Sequence, residues 1–221
     1  MSIKSNLQSI ISNLDESITL VAVSKTKPIE VIQEAYDAGQ RIFGENKVQE
    51  MASKYELLPK DIEWHMIGHL QRNKVKYMAH FVSLVHGVDS LKLLREIDKQ
   101  AEKHNRIINC LLQVKIADED SKFGLSEDDV RSILNSDELA ELKHIKIIGL
   151  MGMATFTSDE FKIESEFKKL KSLFDELETV KHENVELIEL SMGMSGDYKL
   201  AIECGSTMVR IGSNIFGARN Y

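Results

Sequence analysis

Short apolar runs alternate with amphipathic stretches along this chain. Ile3, Leu7, Ile10 and Ile11 sit at helical spacing within residues 2–13, with Leu14 after them, which predicts a leading helix. Leu20-Val21-Ala22-Val23 is continuously apolar and reads as a strand buried on both faces, running on to Lys25 at its tip. The same pattern predicts strands over Arg41–Gly44, Ile62–Gly68, Phe81–Val88, Ile107–Ile116, Ile145–Met151, Val185–Leu190 and Thr207–Ile211. Helices are predicted between them over Ile29–Ala38, stopped by Gly39, then Val48–Leu58 and a stretch through Ala79. Ser90–His104 is amphipathic, with Leu91, Leu94, Ile97 and Ala101 on one face. Ser126, before Glu127, Asp128 and Asp129, reads as an N-cap with an acidic first turn, and Ala117–Gly124 as a polar loop. Asp159–Val180 and Ser195–Glu203, the latter closed by Gly205, complete the helices.

About eight strand–helix alternations with short connections imply parallel strands. The expected fold is a single (β/α)8 TIM-type barrel domain over residues 1–221, preceded by the leading helix. An open doubly wound sheet normally carries a glycine-rich turn after its first strand, and the turn after Lys25 has no glycine.

Composition adds exclusions. The chain has 221 residues and a formal net charge of −7, which argues against a nucleic-acid partner. Cys110 and Cys204 are isolated, with no C-x-x-C and no His/Cys cluster, so neither a disulfide scaffold nor a metal site is expected. No signal peptide and no membrane-spanning run are legible, which predicts a soluble cytoplasmic protein.

Candidate chemistry collects at three strand tips. Lys25 ends the first strand, either snorkelling to solvent or poised to form a Schiff base with a carbonyl. The seventh strand runs into Met192-Gly193-Met194-Ser195-Gly196-Asp197, where Ser195 offers a hydroxyl at a helix start. The eighth runs into Gly212-Ser213, whose backbone N–H groups can point at an anion. Both loops also suit plain turn geometry. Alternation puts Met208, Arg210 and Gly212 on one strand face and Val209 and Ile211 on the other. If the Val/Ile face meets the helices, Arg210 lies inside the barrel mouth, in need of a partner: a ligand, or a glutamate such as Glu45 or Glu203. Closure would set the eighth strand beside the first. A ligand with a phosphate and an aldehyde then fits, namely pyridoxal 5′-phosphate (PLP), its ring nitrogen facing Arg210.

At these residues the sequence resembles the YggS/PROSC family of pyridoxal phosphate homeostasis proteins, from about Leu20 to Tyr221. The motifs are Ala22-Val23-Ser24-Lys25-Thr26-Lys27, Phe43-Gly44-Glu45-Asn46, Trp64 to Lys74, Ser121-Lys122-Phe123-Gly124, and Gly205 to Gly212 continuing to Phe216-Gly217-Ala218-Arg219. The resemblance implies the fold-type III PLP-binding barrel, with Lys25 as Schiff-base lysine and Arg210 facing the pyridine. It also implies Ser195, Gly212 and Ser213 at the phosphate and Asn46 close to the cofactor. Lys27 and Lys122 match further lysines of the family, without an assigned role.

The expected function is PLP binding and intracellular PLP homeostasis by buffering or delivery, without robust amino-acid turnover, with PLP-dependent apoenzymes as partners and a monomeric state. The expectation against turnover rests on the chain ending at Tyr221, where alanine racemases carry a second domain. The alternatives are a weak amino-acid racemase using Lys25 as its single base and a Schiff-base aldolase for phosphorylated sugars. At least one of His65 and Trp64 is read as core, Met151 and Met153 as core filling in preference to packing under a ring, and His69, Gln71 and Asn73 as a polar tip that lines the pocket or caps a helix.

Overall fold

Eight parallel strands close on themselves in the computed structural model, which describes residues 2–117, 123–180 and 182–217. They are β1 (Thr19–Val23), β2 (Ile42–Glu45), β3 (Glu63–Met66), β4 (Leu84–Val88), β5 (Ile108–Gln113), β6 (Ile145–Met151), β7 (Val185–Met194) and β8 (Met208–Ile211). Each pairs with its neighbour in sequence, and β8 returns to β1. The expected (β/α)8 barrel is the observed fold.

Helices cover the outside. The leading helix α1 spans Ile3–Ile11, α2 Ile29–Asp37, α3 Val48–Leu57, and a 3-10 helix Arg72–Tyr77. Then come α4 (Leu91–Glu102), α5 (Glu127–Leu134), α6 (Asp137–Glu141), α7 (Glu160–Leu177), α8 (Tyr198–Glu203) and α9 (Ser213–Phe216). Caps set several starts. Ser126 accepts from the Asp129 N–H, while the Asp129 carboxylate accepts from the Ser126 N–H, a reciprocal capping box. Asp159 caps α7 through the Lys162 N–H.

Two apolar layers follow from the alternation. Val21, Leu84, Leu111, Ile148, Met151 and Met208 plug the barrel interior. Val209 and Ile211 belong instead to the larger core between strands and helices, as the alternation on β8 predicts. Trp64 lies in that outer core, fully buried, its ring 6.0 Å from Phe43.

The differences from expectation lie at element ends. β1 stops at Val23, so Lys25 sits in the following turn rather than on the strand; Thr26 takes a φ of +64° there. Pro28 is the N-cap of α2, because its fixed φ suits the entry. β7 continues to Met194, and α8 begins only at Tyr198, so Ser195 occupies a turn and not a helix start. The Asp197 carboxylate accepts from the Met194 N–H and closes that turn. The stretch expected as a helix through Ala79 is 3-10 over Arg72–Tyr77. The short helices α6 and α9 were not anticipated as separate elements; each is too short for helical periodicity to register.

Candidate functional site

The register of β1 on β8 builds the site. Leu20 pairs with Val209, Val21 with Arg210, and Ala22 with Ile211. One step further, Gly212 packs on Val23: a Cβ added to Gly212 would stand 3.1 Å from the Val23 carbonyl oxygen. The turn bearing Lys25 and the turn opened by Gly212 and Ser213 therefore leave the barrel side by side. A pocket of about 810 Å³ opens at this C-terminal end of the strands. Lys25, Asn46, Ser195, Arg210, Gly212 and Ser213 all line it.

The Lys25 turn is held from both flanks. Ser24, fully buried, donates through its hydroxyl to Glu45 Oε1 at 2.6 Å. Lys54 Nζ, itself buried, donates to Glu45 Oε1 at 2.7 Å, to the Ser24 carbonyl at 2.9 Å and to Glu50 Oε1 at 2.7 Å. Glu50 Oε1 also accepts from the Thr26 N–H at 2.6 Å. Burial raises the Glu45 carboxyl pKa, and the neighbouring Lys54 ammonium works against that shift. Lys27 Nζ donates to the Phe216 carbonyl at 2.9 Å, tying the same turn to the end of α9.

Ser195 and Gly212 are linked directly: the Gly212 N–H donates to Ser195 Oγ at 3.1 Å. That amide, expected to be free, is engaged. Asn214 Nδ2 donates to the Ser195 carbonyl, so the β7 and β8 tips form one bonded unit.

Arg210 is 3 % exposed and pairs with neither Glu45 nor Glu203. Its Nη1 donates to Ser191 Oγ at 2.6 Å and its Nη2 to the Gly152 carbonyl at 3.0 Å. Among the described residues it has no carboxylate partner in ion-pair contact. Burial lowers its pKa to about 10, while the Asp197 charge opposes that shift. Behind Ser191 stand two buried imidazoles: His86 Nδ1 lies 3.1 Å from Ser191 Oγ, and His86 Nε2 lies 3.1 Å from His65 Nδ1. Burial lowers the His65 pKa to about 3 and that of His86 well below its usual value.

The opposite wall is more apolar. His69 stacks on Phe123 at 3.8 Å between ring centroids, and its Nδ1 lies 3.3 Å from Asp89. Met153 and Phe156 are exposed and line the same side, whereas Met151 is core. Glu166 anchors this rim by accepting from the Thr155 N–H and hydroxyl, each at 2.7 Å. Ser121, Lys122, Ala218, Arg219 and Tyr221 lie outside the described residues.

Ser191, His86 and Lys54 have no assigned place in the sequence reading, and Glu45 enters it only as a motif residue and a candidate partner for Arg210. The alternation that turns Arg210 inward also turns His86 inward, two residues after the core residue Leu84, so this signal was available. Nothing in the local pattern pairs Glu45 with Lys54, which approach only when β2 and α3 pack.

Comparison with known proteins bears on the whole chain. Residues 1–220 match the family model described as alanine racemase, N-terminal domain. The pyridoxal phosphate homeostasis protein of Aquifex aeolicus is 42% identical over 203 residues, covering 91% of this chain and 87% of the relative. That of Escherichia coli is 40% identical, covering 93% and 88%. PipY of Synechococcus elongatus, solved with PLP bound, superposes with a TM-score of 0.88 at 36% identity, covering 98% of this chain and 100% of that one. An alanine racemase of Clostridium difficile shares the fold at 17% identity and a TM-score of 0.77, this chain matching 57% of that longer one. Identity at this level over nearly the full length, on the same closed barrel, means that this chain belongs to the pyridoxal phosphate homeostasis protein family, within the alanine racemase N-terminal-domain barrels.

Proposed function

We propose that the protein binds PLP in the barrel mouth as a Schiff base on Lys25, and serves intracellular, cytoplasmic PLP homeostasis by buffering or delivering the cofactor rather than by turning over amino acids. The observation that carries this reading is the β1–β8 register, which brings the Lys25 turn beside the bonded Ser195–Gly212 unit and the buried Arg210. The relatives named for PLP homeostasis and the PLP complex of PipY support the ligand.

The residues fit the group. Arg210 has only donors and keeps its proton, so it suits a ring nitrogen that stays unprotonated. Among the described residues its hydrogen-bond partners are a hydroxyl and a carbonyl, and no carboxylate is in ion-pair contact with it. Ser195, Gly212 and Ser213 offer small, polar, close-approach positions suited to a phosphate. Asn46 at the β2 tip completes the wall near the ring. When bound, PLP supplies an aldehyde reactive toward primary amines and a ring that withdraws electrons. Lys25 would hold that aldehyde carbon with loss of water, and Arg210 would keep the ring a weak electron acceptor. This combination favours holding the cofactor over broad carbanion chemistry.

The reading includes a monomeric carrier that gives PLP to apoenzymes. The runner-up is a weak racemase with Lys25 as its base, since alanine racemases share the barrel. Absorbance titration of purified protein with PLP, followed by addition of L-alanine, separates them. The expected result is saturable PLP binding that Lys25→Ala abolishes, with no sustained formation of D-alanine. Sustained racemisation that depends on Lys25 would overturn the homeostasis reading.

A further inference from the structure

We propose that Ser191, His86 and His65 form a one-way hydrogen-bond relay whose role is to position Arg210 in the pocket wall. This rests on the reading that Arg210 faces the bound ring.

The direction of the relay follows from chemistry. A guanidinium has donors only, so Ser191 Oγ accepts from Arg210. The Ser191 hydroxyl proton then needs an acceptor. Ser191 is fully buried, and its other partner among the described residues is His86 Nδ1. A proton on that nitrogen would leave the hydroxyl proton with nowhere to go, a costly arrangement in a dry interior. His86 is therefore the Nε2–H tautomer. Its Nε2–H donates to His65 Nδ1, which makes His65 an Nε2–H tautomer as well. One cation thus orients three side chains from β3, β4 and β7.

The placement also argues for purpose. Leu84 and Met208 belong to the apolar plug, and His86 and Arg210 stand two residues further along the same strand faces, toward the pocket. Leucine-like residues would fill this layer without polar atoms if packing were the only need. Instead the layer holds two imidazoles that burial keeps neutral, so the nearby fixed charge is Arg210 itself. The charged or titratable groups bearing on the relay are Arg210, the two histidines on each other, and Asp197 acting on Arg210. Protonating either ring would place a donor against a donor and a second cation near the first. The three residues are positioning residues, acting through Arg210.

The test uses the ligand-free and the PLP-loaded full chain. In the ligand-free protein, ring ¹⁵N NMR is expected to find His65 and His86 as neutral Nε2–H tautomers from pH 5 to 8. In the loaded protein, Ser191→Ala is expected to shift the pH profile of the cofactor absorbance and raise the PLP dissociation constant about tenfold, the scale of one hydrogen bond to a charged group. His86→Leu keeps the volume filled, removes the relay and is expected to act in the same direction, which guards against a Ser191 variant that fails to fold. Rings in the Nδ1–H form, rings that titrate in this range, or variants whose profile and affinity stay within twofold of the parent would overturn the relay. Borohydride trapping of PLP on Lys25 in the parent protein runs alongside. Its failure would count against the PLP reading, and the tautomer measurement would still decide the hydrogen-bond direction.

Discussion

The Lys54 ammonium bonds Glu45 at 2.7 Å in a setting where both side chains are almost entirely out of water. The same ammonium holds the Ser24 carbonyl, one residue before Lys25. A buried ion pair adds little over an apolar pair of equal size, yet removing one member strands the other. Among the described residues Glu45 Oε2 has no hydrogen-bond partner, so Glu45 depends heavily on Lys54. Lys54→Met is therefore expected to cost about 3–5 kcal/mol in urea unfolding. The double variant Glu45→Gln with Lys54→Met should recover a large part of that loss. Equal losses in the single and double variants would mean that the pair is not the source of the cost.

Ser195 bonds the Gly212 amide. Ser195→Ala leaves that amide without its partner and removes a hydroxyl from the pocket. PLP affinity is expected to fall about tenfold, the scale of one hydrogen bond to an anion. Affinity for pyridoxal, which lacks the phosphate, should change little. Isothermal titration with the two ligands checks this, and equal losses for both would place the phosphate elsewhere.

Arg210 is tested by Arg210→Met, which keeps much of the side-chain bulk and removes the charge. Ser191 Oγ and the Gly152 carbonyl lose their donor, so stability is expected to drop by about 1–3 kcal/mol. PLP should bind more weakly, with an altered absorbance spectrum. An unchanged spectrum would show that the guanidinium does not face the ring.

Acid stability follows from His65, whose folded pKa is pushed down to about 3 by burial. Unfolded histidine titrates near ~6.5, so between that value and the folded pKa the unfolded chain binds a proton that the folded chain refuses. Stability is therefore fully present above about pH 6.5 and is lost as pH falls. Between pH 7 and pH 5 the contribution from His65 is about 2 kcal/mol, and His86 acts in the same direction. His65→Asn should flatten this slope relative to the parent in unfolding curves at the two pH values. Parallel slopes would mean that the ring is not held neutral.

Much of this was legible in the sequence, for physical reasons that also mark where legibility ends. Continuous apolar runs such as Leu20–Val23 betray strands covered on both faces, and strict alternation with helices leaves few topologies besides a closed barrel. Period-two alternation turned Arg210 inward, as observed. Strand ends were less legible. The apolar character of β1 ends at Val23, and the Thr26 N–H of the following turn, where φ is positive, donates to distant Glu50, a contact no local pattern encodes. Of the two partners the sequence suggests for Arg210, a ligand or a glutamate, the glutamate is not the one found: the fold supplies Ser191 from β7 and a carbonyl at the β6 end, which no local pattern announces.

The central claim is that Lys25 and the turns at Ser195 and Gly212 serve a single ligand. Borohydride reduction of the PLP-loaded protein, proteolysis and mass spectrometry of the peptides test it most directly. The account predicts one pyridoxyl-phosphate label, on Lys25, and its loss in Lys25→Ala. A label confined to Lys27 or to surface lysines, or an equal label in Lys25→Ala, would contradict it.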